Sequence, residues 1–290
     1  MKSKIVKVGY GKVNKVEIGF GKRLTFIGGP CAIESLDHSL YMAEKIKKIC
    51  ETQKIQFIFK SCFNKDSRSS VKSFNGIGID EGLEILQKVR NKLEVPVISD
   101  FSIPSWAQPT ADVCDIIQIP AYLCRQTSIL EAAAKTMRPI NIKKGQFMSP
   151  WNMKNSVKKI EFFGNKNILL TERGTFMGYN MLVNDLRSLP IMNETGYPVC
   201  YDATHSIQMP TSMGNISGGQ REYIPYLVRA AAAGGLHAIF MEVHNNPSKA
   251  LSDPNTVLNL KYLKKILEQA NILFKMRQKI YKSYGQDNVE

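Results

Sequence analysis

The sequence predicts a single α/β domain, a (β/α)8 TIM barrel preceded by a short N-terminal β-hairpin. Three observations lead there. Eight brief β-rich runs alternate with amphipathic helical stretches, no linker divides the 290 residues, and each run ends on a polar or metal-competent side chain. Strands alternating with helices indicate a parallel sheet with right-handed crossovers. Eight such units without a boundary favour closure into a barrel over an open doubly wound sheet. One domain over 1–290 is an ordinary barrel length.

Taken in order, Ile5 to Phe20 alternates in a strand-like way around Gly9-Tyr10-Gly11-Lys12, so residues 1–20 are expected to form the hairpin. The barrel strands are expected at Leu24–Gly28, Gln56–Lys60, Val95–Asp100, Ile116–Ile119, Ile140–Lys143, Ile168–Thr171, Val199–Asp202 and Ala238–Glu242. Apolar residues recur at helical spacing in Leu40–Glu51, Glu81–Leu93, Ser128–Lys135, Glu222–Ala233 and Leu260–Ser283. The segment Met209–Gly219, rich in glycine and serine, lies between strand seven and helix seven and is expected to serve as a lid.

The net charge of +14 admits either a polyanionic macromolecular partner or small anionic substrates on a lysine-rich surface. Lysines alternate with apolar residues on helices, as in Tyr262-Leu263-Lys264-Lys265-Ile266-Leu267, and no aromatic-interleaved basic stretch or nucleic-acid-binding signature is present. A lysine-rich surface with small anionic substrates is therefore favoured, and no nucleic-acid partner is expected. No apolar run approaches bilayer length, and Met1-Lys2-Ser3-Lys4-Ile5-Val6 lacks the apolar core of a signal peptide, so no membrane partner is expected. Six scattered cysteines without a CxxC pair fit a reduced cytoplasm.

Barrel active sites are built at the carboxyl ends of strands. Here those positions hold, in order, Cys31, Lys60, Asp100, Gln118, Lys143, Arg173, His205 and Glu242. Lys60, Lys65, Arg68, Lys143 and Arg173 form a basic set suited to carboxylate and phosphate. The loop from Lys60 to Ser70, with Ser69 among its small hydroxyls, has the composition of a phosphate loop, and equally that of a solvated loop. Cys31, His205, Glu242 and Asp253 make a mixed soft and hard donor set for zinc, iron(II) or manganese. Each also has a plain structural use: a small buried hydrophobe, a core hydrogen bond, a lysine partner and a turn cap. His237 precedes strand eight at the opposite mouth and is excluded. Lys143 is also a candidate Schiff-base lysine, with Lys60 and Arg173 nearby to disfavour its charge.

At these residues the chain resembles the 3-deoxy-D-manno-octulosonate-8-phosphate synthases. The resemblance runs from Gly28-Gly29-Pro30-Cys31 to Ala250-Leu251-Ser252-Asp253. It includes Arg68-Ser69-Ser70, Gln118-Ile119-Pro120-Ala121, Asn141 to Phe147, Glu172-Arg173-Gly174, Asp202-Ala203-Thr204-His205-Ser206 and Ser217-Gly218-Gly219. It implies condensation of phosphoenolpyruvate with arabinose 5-phosphate, and a divalent metal on Cys31, His205, Glu242 and Asp253. It further implies that Lys143, Arg173, Gln118 and Lys60 hold phosphoenolpyruvate, while Lys65, Arg68 and Ser69 receive the phosphosugar. Asp100 is implied near the metal end, and Arg125 reaches a neighbouring subunit's site in a homotetramer. Lys65, His205 and Asp253 are expected closest to the chemistry, with Lys65 as proton donor.

Ser67 stands where many members have asparagine, which touches one sugar contact. Phe101-Ser102-Ile103-Pro104 and Gly145 depart from the metal-independent pattern and agree with Cys31 in indicating the metal class. Two alternatives stay open: the related synthase using erythrose 4-phosphate, and a non-catalytic anion-binding barrel.

Overall fold

The computed structural model describes residues 4–66, 70, 72–213 and 216–285. A hairpin of β1 (Val6–Val8) and β2 (Val16–Ile18) pairs Val6 with Ile18 and Val8 with Val16. The β/α units follow as β3 (Thr25–Gly29), α1 (Leu36–Thr52), β4 (Gln56–Lys60), α2 (Ile79–Leu93), β5 (Val97–Asp100), α3 (Ala107–Val113), β6 (Ile116–Ile119), α4 (Thr127–Lys135), β7 (Ile140–Lys143) and α5 (Met153–Phe162). Then come β8 (Ile168–Glu172), a small pair β9 (Thr175–Phe176) and β10 (Leu182–Val183), α6 (Ser188–Asn193), and β11 (Val199–Asp202). A second hairpin of β12 (Gln208–Met213) and β13 (Ile216–Gly219) precedes α7 (Ile224–Gly234), β14 (Ala238–His244), β15 (Leu258–Asn259) and α8 (Leu260–Tyr284).

Strands β3, β4, β5, β6, β7, β8, β11 and β14 pair in parallel in that order, and β14 closes on β3 with Ala238 opposite Thr25. This is the expected closed barrel. Side chains alternate across a strand. Phe57 and Phe59 therefore face the helices, whereas Ile58 faces the barrel axis. The interior is filled by Ile27, Ile58, Ile98, Ile116, Leu169, Cys200, Ala238 and Phe240, and the hairpin adds Val6, Val8, Val16 and Ile18 to the same cluster. The hairpin thus seals the amino-terminal mouth with apolar surface and leaves the other mouth for chemistry.

Polar contacts fix that plug. The Tyr10 ring lies between the guanidinium groups of Arg90 and Arg138, at 4.0 and 3.7 Å from its centroid. Asp115 accepts from Arg90 Nε at 2.9 Å, from Val97 N at 3.1 Å and from Tyr10 N at 3.0 Å. One buried carboxylate joins hairpin, helix and strand.

Several element boundaries differ from the sequence expectation, most of all the start of α1. Helix α1 begins at Leu36 because Ser35 caps it, its Oγ accepting from His38 N; Asp37 and His38 in that first turn give no apolar period to read. Strand β14 runs on to His244, two residues past Glu242.

His237 sits at the sealed mouth, as expected, with Nδ1 accepting from Val199 N at 3.1 Å. Burial, then the nearby Arg277 charge, pushes its pKa down to about 3. A depressed histidine takes up protons in the unfolded chain first, so its contribution to stability is complete above about pH 6.5 and is lost toward pH 3. Stability is expected to fall between about pH 6.5 and 5 with a slope approaching 1.4 kcal/mol per pH unit. Urea unfolding across that range checks this, and the His237→Asn variant is expected to show a flatter profile. Among the described residues, no helix is long and apolar enough to cross a membrane.

Candidate active site

Strand parity determines which side chains reach the open mouth. Two residues beyond the interior isoleucine of β4 stands Lys60, and two further on Cys62; the same step leads from Ile98 to Asp100 and from Ile116 to Gln118. It likewise leads from Leu169 through Thr171 to Arg173, from Cys200 to Asp202, and from Phe240 to Glu242. On β3 the step from Ile27 to Cys31 passes Gly29, where a Cβ would lie 2.1 Å from the Lys60 carbonyl oxygen. These positions surround a cavity of about 210 Å³ whose walls include Lys60, Lys65, Asp100, Gln118, Lys143, Arg173, His205, Glu242 and Asp253.

Its cations are buried and held. Lys60 Nζ lies 2.8 Å from Asp100 Oδ1, and the Cys62 thiol donates to that oxygen at 2.6 Å. Burial opposes charge on both groups of this pair. Their mutual attraction prevails, raising Lys60 and taking Asp100 far below the usual carboxylate range. Lys143 Nζ is 2.6 Å, and His205 Nδ1 2.7 Å, from Oδ2 of Asp202. Asp202 is fully buried, and His205 and Lys143 overcome that burial to depress its pKa strongly. Lys143 therefore faces a carboxylate and the His205 ring, whose Nδ1 lies 3.3 Å from its Nζ.

Lys65 is partly buried, and desolvation disfavours its charge. The thiols of Cys31 and Cys62 and the carboxylates of Glu242 and Asp100 outweigh this and hold the ammonium well above its ordinary range. Arg173 differs from the three lysines. It is 3% exposed, its Nη2 donates to neutral Gln208 at 2.7 Å, and its Nη1 is buried with no hydrogen-bond partner among the described residues. A buried guanidinium left half-satisfied at a cavity wall is a ready anion site.

Of the four expected metal ligands, donor atoms of Cys31, Glu242 and Asp253 lie within 4.8 Å of one another. His205 stands beside them, its Nε2 3.5 Å from Glu242 Oε1. Cys31 Sγ is 3.2 Å from Asp253 Oδ2. Asp253 adopts a left-handed φ of 52°, a conformation that aspartate tolerates better than most residues. Glu242 Oε2 is buried without a hydrogen-bond partner among the described residues, an orphaned acceptor on a carboxylate that neighbours Cys31 and Asp253. Burial, then the Glu242 charge, raises the Cys31 thiol well above its usual range. The donor set is compatible with a divalent metal, whose charge favours the thiolate.

Arg125 is exposed and stands apart from the cavity walls, its carbonyl accepting from Lys159 Nζ at 2.8 Å. Ser67, Arg68 and Ser69 lie outside the described residues. Sequence reasoning did not single out Asp202, although it ends β11 on the same parity as Lys60 and Glu242. It also passed over Gln208, which donates to Asp253 Oδ1 at 3.2 Å while accepting from Arg173. On the opposite parity, Lys144 is fully buried 3.4 Å from Glu172 and donates to Gly174 O and Thr175 Oγ1, so it ties together the loops that follow Lys143 and Arg173.

The DAHP synthetase I family matches residues 5–279. A protein of Cyanothece sp. named 2-dehydro-3-deoxyphosphooctonate aldolase is 54% identical over 254 residues, covering 88% of this chain and 93% of its own length. Proteins of the same name from Rickettsia prowazekii and Protochlamydia amoebophila are 50% and 47% identical, covering 88% and 92% of this chain and 93% and 97% of their own lengths.

Proposed function

The chain belongs to the DAHP synthetase I family, and from that premise we propose that it is a transferase condensing phosphoenolpyruvate with D-arabinose 5-phosphate and water. The products are 3-deoxy-D-manno-octulosonate 8-phosphate and inorganic phosphate. The observation that carries this reading is the buried Arg173, its Nη1 without a partner among the described residues, in one cavity with Lys60, Lys143, Glu242 and Asp253, the last two beside the Cys31 thiol.

In this scheme Lys60, Gln118, Lys143 and Arg173 hold phosphoenolpyruvate, neutralising a carboxylate and a phosphate that repel each other. Carbon 3 bonds to the sugar aldehyde carbon, whose oxygen takes a proton, while water adds to carbon 2 and gives up a proton. The tetrahedral intermediate then expels phosphate with cleavage of the carbon–oxygen bond. Lys65, Arg68 and Ser69 receive the phosphosugar. The raised ammonium of Lys65 suits it to steady the developing alkoxide, with proton donation as its further role. His205 and Asp253 are assigned the positions nearest the reacting carbons, and Asp100 keeps Lys60 in place. Holding both substrates in attack geometry is the main source of rate. Zinc, iron(II) or manganese on Cys31, His205, Glu242 and Asp253 supplies polarisation or orientation of the aldehyde or water when bound.

Arg125 is proposed to serve a neighbouring subunit's site in a homotetramer. The exposed apolar side chains of Tyr122, Phe147 and Trp151, in the loops after β6 and β7, support a subunit contact there. The β12–β13 hairpin is proposed as the lid, supported by Gln208 at its base, which bonds both Arg173 and Asp253. A cytoplasmic location follows from the chemistry of its substrates.

Phosphate release from phosphoenolpyruvate, with arabinose 5-phosphate or erythrose 4-phosphate and with or without chelator, tests the proposal. Release is expected with the five-carbon sugar and not the four-carbon one. Release only with erythrose 4-phosphate would favour the related synthase, and none with either sugar the non-catalytic barrel. Trapping of a lysine adduct by borohydride would count against phosphate departure without a covalent intermediate.

A further inference from the structure

We propose that Glu34 is a positioning residue that holds the three ligand-bearing segments of the metal site in register. The inference rests on the metal reading above. Glu34 follows Cys31 by three residues, and its carboxylate faces the other two segments at once. Oε1 accepts from Leu251 N at 3.2 Å, two residues before Asp253. The same oxygen lies 3.2 Å from Nε2 of His244, two residues after Glu242. Oε2 is 3.5 Å from Nδ1 of His38, whose Nε2 meets Asn245 Oδ1 at 3.0 Å. The His38 and His244 rings are in contact at 4.6 Å between centroids, tilted by 48°. One side chain from the loop after β3, with His38 of α1 beside it, therefore meets both the β14 end and the Asp253 loop.

Glu34, His38 and His244 also have the composition of a second metal site. The hydrogen bonding of His244 argues against it. Its Nδ1 accepts from Asn246 N at 2.9 Å, which leaves the ring proton on Nε2, the atom facing Glu34. A protonated ring nitrogen carries no lone pair for a metal. The cluster instead has the form of an outer support, in which a carboxylate gathers groups that orient inner ligands. The carboxylate offers Oε1 to both the Leu251 amide and His244 Nε2; a carboxamide oxygen keeps these contacts without the charge, and alanine keeps neither.

The test is cobalt(II) titration of the metal-free full-length chain, followed by the thiolate-to-cobalt absorption of Cys31 and by competition with a chelator. Wild type is expected to bind one cobalt(II) with that band. Glu34→Ala is expected to bind it roughly 10–100-fold more weakly, the range for loss of outer support. Glu34→Gln and His38→Ala, each keeping part of the network, are expected to lose roughly two- to tenfold, an intermediate loss on the same scale. They carry the test if Glu34→Ala does not fold. Affinities of all three variants within twofold of wild type would overturn the proposal. So would a second cobalt(II) equivalent that disappears in His38→Ala, which would make the cluster a ligand site. Absence of the thiolate band in wild type would instead overturn the metal reading itself.

Discussion

Arg173→Met is expected to lower kcat/KM for the condensation by roughly 10²–10⁴-fold with the fold intact. The guanidinium is buried at the cavity wall, donates to neutral Gln208 at 2.7 Å and keeps Nη1 without a partner among the described residues. Two charge-assisted contacts to a substrate anion, at about 1.5–3 kcal/mol each, account for that range. Arg173→Lys is expected to recover only part of the loss, because an ammonium lacks the planar fork that grips carboxylate or phosphate. Steady-state kinetics at varied phosphoenolpyruvate, with circular dichroism as the folding control, checks both variants. A fall of less than about threefold for Arg173→Met would remove Arg173 from substrate binding, since a single charge-assisted contact is worth more.

Removal of the metal is expected to have the second large effect. Chelator treatment should lower turnover at least 100-fold, on the order of what loss of a metal's charge stabilisation costs. Restoration by zinc, iron(II) or manganese should follow. The basis is the convergence of the Cys31, Glu242 and Asp253 donors and the orphaned Glu242 Oε2. The Cys31→Asn variant separates two roles. If it works in the presence of chelator, the metal only positions groups; if it is inactive there, polarisation is required. Full activity of the wild-type enzyme after exhaustive chelation would defeat the metal reading altogether.

Much of the fold was legible because each strand is a short apolar run with a polar residue at its carboxyl end, and that pattern is local. Gln56–Lys60 and Ile140–Lys143 are read from sequence to the residue. The amino-terminal turn of α1 was not, because its signal is a single capping contact of Ser35 and not a periodicity. Helix α6, six residues long, is too short to show a period. In the site, Lys60, Lys143, Arg173 and Glu242 were legible as strand-end residues. Asp202 was equally placed but was given no role, since an acidic residue ending a strand looks the same whether it faces solvent or two cations.

The sequence by itself determined the barrel, the chemistry available at its open mouth and the family resemblance, because period-two alternation and strand-end composition are properties of neighbouring residues. Only the tertiary structure decided who meets whom. It brought Cys31, Glu242 and Asp253 together with His205 alongside, gave Lys143 and His205 a shared carboxylate in Asp202, and set Glu34 against three segments from opposite ends of the chain. Those contacts depend on where loops of unequal length return after barrel closure, and no local pattern encodes that distance.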